Sequence, residues 1–393
     1  MKKYFIIKLF VLSFIINTKA QSSADTVLAS IAKNNKTIIA NTQYCEAQKL
    51  QYKTGLTPYN PSVNYDYLIG SPNTTGNQTD FTVTQTFDFP TAYIKKKQLS
   101  EQQIAQAEFQ LTAKRQDVLL EAKLICIELV YRNKLQSRFA QRKQNTEKLL
   151  SDFQTKMNKG EGNVLDVNKA QLQLIEINKE FQQNLSSINQ LNQKLTELNG
   201  GNAIIFTDTI YPPLTNIASF EQLENEIKTT DPILKFLEQG KLVTQKQVEL
   251  SKAMSLPKLE TGYRYQGILG QTFQGVHAGI TIPLWENKNI VKTQQANLLF
   301  ADLNLQDHRN EYYYEIKQLY EKYTNLKITL SEYQTVFASL NNTTLLNRAL
   351  ASGQISTIEY FMEMSYYYNA FNNYLQTENE FYEVVAELYK HNL

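Results

Sequence analysis

The side chains best suited to catalysis or metal binding, three histidines and two cysteines, lie far apart in this sequence. His277, His308 and His391 have no partners at metal-ligand spacing, and Cys45 and Cys126 lie in two different predicted helices. The sequence has no glycine-rich phosphate loop and no Ser-His-acid set in a recognisable context. It therefore predicts no catalytic site and no cofactor, and it argues against an enzyme.

Two acidic residues share a distinctive local context, because each follows a glycine-containing turn. Gly160 and Gly162 precede Asp166, and Gly353 precedes Glu359. Carboxylates just inside a helix start are stabilised by the positive end of the helix dipole, which is the simplest role for both acids. Any further role depends on the elements that position them.

Those elements occur twice, because the sequence aligns with itself. An offset of 196 residues places Pro61 on Pro257, and an offset of 193 places Gly160 on Gly353. The order of helix, strand and turn signals recurs across this span, which indicates an ancient duplication. We expect a first repeat over 21–206 and a second over 207–393.

Residues 1–20 have the pattern of an export signal. Lys2 and Lys3 precede an apolar stretch that ends near Ile16, and Thr18-Lys19-Ala20 is a small-x-small cleavage site. The stretch is shorter than the roughly 20 apolar residues that span a bilayer as a helix. A disulfide between the two cysteines is compatible with an oxidising compartment and stays open.

The overall charge argues against a nucleic-acid partner. The sequence has 40 basic and 38 acidic residues in 393. Four lysines lie in the export signal, so the remainder has 36 basic residues against 38 acidic ones. A protein that binds nucleic acid usually has a basic surplus instead.

Four segments of about ten residues alternate between apolar and polar side chains, and they predict β-hairpins over 61–89 and 257–284. This is the length of a tilted membrane-spanning strand. A soluble half-buried sheet is the alternative, but the apolar faces are rich in Tyr and Phe, as membrane strands are near the interfaces. The polar faces then line a water-filled lumen. The predicted lumen-facing residues are Thr82, Thr84, Thr86, Glu260 and Arg264.

Long helices follow each β-hairpin. Apolar residues recur every seven positions from Val291 to Leu340 and from Ile104 to Ile125, and neither Gly nor Pro interrupts the runs before Gly160 and Gly353. Such seams are typical of coiled coils. The sequence predicts long helical hairpins over 91–199 and 286–390.

Four strands cannot close a barrel in lipid, because the open edges would leave backbone groups unpaired and single-chain barrels begin at about eight strands. Copies of the chain must share one barrel. Two copies would supply eight strands and three would supply twelve, and the strand count does not choose between them.

Two passages resemble the TolC family of outer-membrane efflux channels. Gly279–Trp285 is similar to the family's passage from strand to helix, and the segments Gly160–Val167 and Gly353–Tyr360 are similar to its glycine turn and following helix start. The resemblance implies an α+β membrane protein that is internally duplicated and trimeric. Long coiled-coil helices would form an α-helical barrel, and four β-strands per chain would contribute to a shared transmembrane β-barrel.

The resemblance also implies a location and partners. The channel would sit in the lipid of the outer membrane of a Gram-negative bacterium and span into the periplasm. There it would meet a periplasmic adaptor protein and an inner-membrane pump, of RND type or alternatively of ABC type. The segment Phe87–Tyr93 looks more like members that serve heavy-metal pumps. Protein secretion by a type I system and a periplasmic coiled-coil scaffold are the alternative functions.

If the glycine turns form the periplasmic tip, as the resemblance implies, Asp166 and Glu359 become candidate gate residues. In a trimer each would form a ring of three carboxylates, which favours cations. The family's second acid falls on Met362 here, so an acidic gate would be built differently.

Overall fold

The computed structural model describes residues 23–213 and 217–393. The predicted signal peptide, 1–20, lies outside these residues. The helices are α1 (Ser23–Asn34), α2 (Lys36–Tyr52), α3 (Pro90–Asn158), α4 (Val164–Leu198), α5 (Phe220–Thr230), α6 (Pro232–Met254), α7 (Ile290–Ser339), α8 (Asn342–Ala351) and α9 (Thr357–Leu388). The strands are β1 (Ser62–Leu68), β2 (Gln78–Phe87), β3 (Lys258–Ile268) and β4 (Gln271–Thr281).

The same order of elements occurs in both halves of the chain. Each half has two helices, a β-hairpin and a long helical hairpin, whose first arm is divided into α7 and α8 in the second half. The two repeats, 21–206 and 207–393, and their common ancestry remain predictions.

The longest element is α3, which begins at Pro90 directly after the sheet. Proline suits the first turn of a helix because its missing N–H has no partner there in any case. The helix has 69 residues, which at 1.5 Å per residue makes a rod of about 100 Å. It ends at a turn in which Gly160 has φ +76°, a left-handed conformation that glycine adopts without strain.

The second long helix differs from the sequence prediction, because it is broken. The helix α7 ends at Ser339, Leu340 is extended, and α8 begins at Asn342. The break falls at Asn341-Asn342-Thr343-Thr344, where side chains compete for backbone hydrogen bonds and weaken the helix. The expected start at 286 is also wrong, since Asn289 has φ +66° and α7 begins one residue later.

Helix α3 holds the helical part of the chain together. It packs against α1, α2, α4, α6 and α9, while α7 packs against α6 and α9. One apolar core joins α1, α3, the end of α4 and the segment near Phe206 around Leu129. A second core joins α5, α7 and α9, and Leu319 and Leu326 of the predicted seam pack against it.

The four strands form one antiparallel sheet in the order β1-β2-β3-β4. The two halves of the chain meet at its centre, where Phe87 of β2 pairs with Leu259 of β3. The turn from β3 to β4 uses Leu269 and Gly270, both with positive φ, as tight hairpins require. Within the described chain β1 pairs only with β2 and β4 only with β3, so both edges of the sheet are open.

None of the described helices contains a stretch that is long and apolar enough to cross a membrane.

The fold predicts a strong effect of shortening Leu129, whose side chain is 0% exposed in the core around α3. Leu129→Ala should destabilise the chain by about 2–5 kcal/mol, because it removes apolar contacts and leaves a cavity. Thermal unfolding of the purified protein, followed by circular dichroism, measures the effect. Gln110→Ala, on an exposed part of the same helix, is the control, and equal melting temperatures for both variants would contradict the packing.

Candidate functional site

The register of the sheet brings the five predicted lumen residues onto one face. Thr82 pairs with Arg264, and Thr86 pairs with Glu260. Thr84 lies between the two threonines at the two-residue period of a strand, so all five side chains point to the same side. This polar face is a shared surface of both halves of the chain, since β2 and β3 meet there.

A hydrogen-bonded group lies on the polar face where β2, β3 and β4 come together. The His277 ring nitrogen Nε2 is 3.0 Å from Glu260 Oε1, and Thr86 Oγ1 donates to Glu260 Oε2 at 3.3 Å. Gly279 pairs with Glu260, and a Cβ atom there would lie 3.4 Å from His277 Nε2. The missing side chain therefore leaves room for the histidine ring to reach the carboxylate.

A second charged pair lies further along the polar face. Arg264 is 3.7 Å from the carboxylate of Asp80, which also accepts from Gln78 Nε2 at 3.0 and 3.1 Å. Sequence reasoning missed Asp80. The available signal was its position two residues before Thr82, because side chains two residues apart in a strand lie on the same face.

The opposite face of the sheet is apolar and open to its surroundings. Val63, Val83, Tyr263 and Val276 form one row across all four strands. Val63 is 62% exposed and Val276 is 85% exposed. A continuous apolar surface of this kind indicates contact with lipid or protein rather than water.

The two helical hairpins bring their turns together at one end of the rods. Gly160, Gly162 and Asp166 of the first turn line one groove with Ser356 and Ile358 of the second. Beneath it, Phe153, Val167 and Ala170 form a small apolar core with Leu350 and Phe361 packed against it. Glycine is required at 162, since a Cβ atom would lie 2.5 Å from the Met157 backbone nitrogen. Gly353 makes the second turn with φ +72°.

The two candidate gate acids have different surroundings. Asp166 lies in the first turn of α4 and shares the groove with Lys156 and Lys169. Glu359 is part of a capping box: its Oε2 accepts from the Ser356 backbone N–H at 2.7 Å, and its own N–H donates to Ser356 Oγ at 3.2 Å. These hydrogen bonds lower the pKa of Glu359, so this carboxylate helps to start α9.

The cysteines and histidines do not form a reactive centre among the described residues. Cys45 and Cys126 are both buried and free, so the disulfide left open by the sequence is absent. Burial, with a smaller contribution from Asp208, raises the pKa of Cys126 to about 12. Within residues 23–213 and 217–393, no three His, Cys, Asp or Glu side chains are grouped closely enough to hold a metal ion.

The four-stranded sheet and the paired helical rods together have the fold of solved outer-membrane channels. No family model matches the sequence, and no curated protein is significantly similar to it. Solved structures, however, are similar over almost the whole chain.

One such structure is CusC, which is described for the conformational changes that accompany its folding and transmembrane channel formation. It has a TM-score of 0.79 and 14% sequence identity to this chain, and the match covers 95% of this chain and 92% of CusC. The CmeC outer membrane channel of Campylobacter jejuni has a TM-score of 0.72 and 15% identity over 94% and 85% of the two chains. The outer membrane protein VceC of Vibrio cholerae has a TM-score of 0.71 and 12% identity over 94% of each chain. The resemblance to the TolC family is thus confirmed for the fold.

The capping box predicts that the start of α9 depends on Ser356. Ser356→Ala should destabilise the first turn of the helix by about 1 kcal/mol, because the Glu359 N–H loses its partner. Hydrogen–deuterium exchange of peptides covering 355–365 should then accelerate. Ser352→Ala, at the end of α8, is the matched control, and unchanged exchange in the Ser356 variant would contradict a capping role.

Proposed function

We propose that the chain is one subunit of a trimeric outer-membrane channel that serves as the passive exit duct of an efflux system. The observation that carries this proposal is the four-stranded sheet with an open edge on each side. Backbone groups left unpaired in lipid cost several kcal/mol each, so the edges must be closed by further strands.

Copies of the same chain are the simplest source of those strands. Strands alternate in direction across the sheet, so β4 of one copy can pair antiparallel with β1 of the next. Three copies give a twelve-stranded barrel, the number that the TolC resemblance favours over two copies.

The helices also have surfaces suited to contact between copies. Leu299, Phe300 and Leu303 are exposed on α7, and Leu172 and Ile175 are exposed on α4. Exposed apolar residues on two different helices favour a closed ring, in which each set packs against a neighbouring copy.

The two faces of the sheet then have distinct roles. The apolar face contacts outer-membrane lipid, and the polar face with Thr84, Glu260 and Arg264 lines the water-filled lumen. The rods continue this duct into the periplasm as an α-helical barrel, which makes the protein a conduit rather than an enzyme.

The tip of the rods is the proposed meeting point with the rest of the system. The groove between the two turns is where a periplasmic adaptor would dock, with an inner-membrane pump of RND type, or alternatively ABC type, behind it. We expect small molecules or metal ions as cargo. Asp166 and Glu359 stay candidate gate residues at this tip.

Membrane fractionation tests the proposal as a whole. We expect the protein in the outer-membrane fraction as an oligomer that dissociates to a monomer only when heated in SDS. A soluble periplasmic monomer would contradict the channel and favour a coiled-coil scaffold.

The assignment of the two faces predicts opposite responses to a new charge. Ile280→Arg or Tyr65→Arg should destabilise the inserted protein by roughly 2 to 4 kcal/mol near the membrane midplane, because the charge would face lipid. Thr84→Arg on the polar face should be tolerated. The fraction of heat-modifiable oligomer in the membrane measures both effects, and the reverse pattern would mean that the faces are wrongly assigned.

The gate assignment predicts a change in ion selectivity. Asp166→Asn combined with Glu359→Gln should reduce cation selectivity in planar bilayers and weaken block by trivalent cations added from the periplasmic side. Glutamine preserves the capping box, so α9 should still begin normally. Glu332→Gln, exposed on α7, is the charge control, and selectivity that survives the double substitution would exclude the gate role.

A further inference from the structure

A cavity that the proposed duct does not use lies between α1, α3 and the segment 206–213. It has a volume of about 220 Å³. Drug-sized ligands usually occupy sites of about 300–1,000 Å³, whereas an apolar cavity of about 150 Å³ is already large enough to hold benzene. The size of this cavity therefore suits a small organic ligand with a single aromatic ring.

The walls of the cavity are mainly apolar. Helix α3 contributes Lys123, Cys126, Ile127 and Val130, whose spacing places them on one helix face. The facing segment contributes, among others, the ring of Phe206. The remaining lining residues are Ala24, Asp25, Leu28, Asp208, Ile210, Tyr211, Pro212 and Pro213.

Hydrogen bonds fix the facing segment in place, so the cavity is preformed. Asn133 Nδ2 donates to the carbonyl oxygens of Phe206, at 3.4 Å, and Asp208, at 3.1 Å. The Phe206 N–H donates to Asn192 Oδ1 at 2.9 Å. A rigid wall favours binding, because little conformational entropy is lost when a ligand enters.

Tyr211 is held equally firmly. Its hydroxyl lies 3.3 Å from Asn379 Oδ1, and its ring stacks on Tyr382 with centroids 4.1 Å apart. The hydroxyl group is thus already hydrogen-bonded outside the cavity, and Tyr211 contributes a fixed aromatic surface to the wall.

The charged groups of the wall favour a cation. The charged residues that line it are Asp25, Lys123 and Asp208. Burial lowers the pKa of Lys123, although the Asp25 charge acts in the opposite direction. Among the described residues the Asp208 carboxylate has no salt-bridge partner. A ligand cation would supply one, and the Phe206 and Tyr211 rings could also attract it.

We propose that this cavity binds a small organic cation with an apolar body. The Asp208 carboxylate attracts the charge, and the body lies against Ile127, Val130 and the ring of Phe206. The site does not depend on the duct, so a failed binding test would contradict this proposal and leave the proposed function unaffected.

Binding of benzyltrimethylammonium, which has one aromatic ring and one quaternary ammonium group, to the purified, detergent-solubilised protein tests the proposal. Equilibrium dialysis should give saturable binding with one site per chain. Phenylmethanesulfonate has a similar shape and the opposite charge, and it should bind at least about tenfold more weakly if the wall selects cations. Absence of saturable binding, or equal binding of the two ions, would overturn the proposal.

Two variants locate the site. Asp208→Asn should raise the dissociation constant of the cation about tenfold, as expected when one partly buried charge contact is lost. Val130→Trp should abolish binding by filling the cavity. Asp152→Asn, exposed on α3, and Ile205→Trp, exposed beside the cavity, are the matched controls.

The variants also exclude an artefact of misfolding. If Val130→Trp lowers the melting temperature, Asp208→Asn decides the question, because it changes one half-exposed group and fills no space. Unchanged affinity of Asp208→Asn for benzyltrimethylammonium would contradict the proposal.

Discussion

The open edges of the sheet are the constraint on which the rest of this structure depends. Strands β1 and β4 each have one side with no partner within the described chain, and such rows of backbone groups are unstable in lipid and prone to pairing in water. The proposed barrel shared between copies would satisfy both edges at once. It would also give the apolar and polar faces of the sheet separate environments, which a single chain in water could not provide.

The long helices continue from the sheet, so the sheet also determines where they lie. Because α3 follows β2 directly at Pro90 and has 69 residues, the position of the sheet fixes the position of the rod and of the turn at Gly160. The core around Leu129 packs α1 against α3, and the core around Leu223 packs α5 against α7. The chain thus links the proposed lumen, the helical wall and the tip through continuous secondary structure.

Much of this architecture could be predicted from the sequence, because its elements have strong periods. Alternation predicted the strands. The register of β2 and β3 places Thr82, Thr84, Thr86, Glu260 and Arg264 on one face, while their position in a lumen remains a prediction. The break after Ser339 was missed because it needs neither Gly nor Pro. The His277–Glu260 pair and the cavity beside Phe206 depend on tertiary contacts, and sequence spacing does not specify these. The capping role of Glu359 depends on Ser356, whose position three residues earlier was the readable signal.

Disulfide cross-linking between the two edge strands tests the shared barrel most directly. In a Cys45→Ser, Cys126→Ser background, one cysteine replaces Tyr65 in β1 and a second replaces Gln274, Val276 or Ala278 in β4. All four positions lie on the apolar face. Oxidation in membranes should give, for at least one pair, a ladder of covalent species that ends at three subunits. Monomers at every pair, or a ladder that ends at two subunits, would contradict the account.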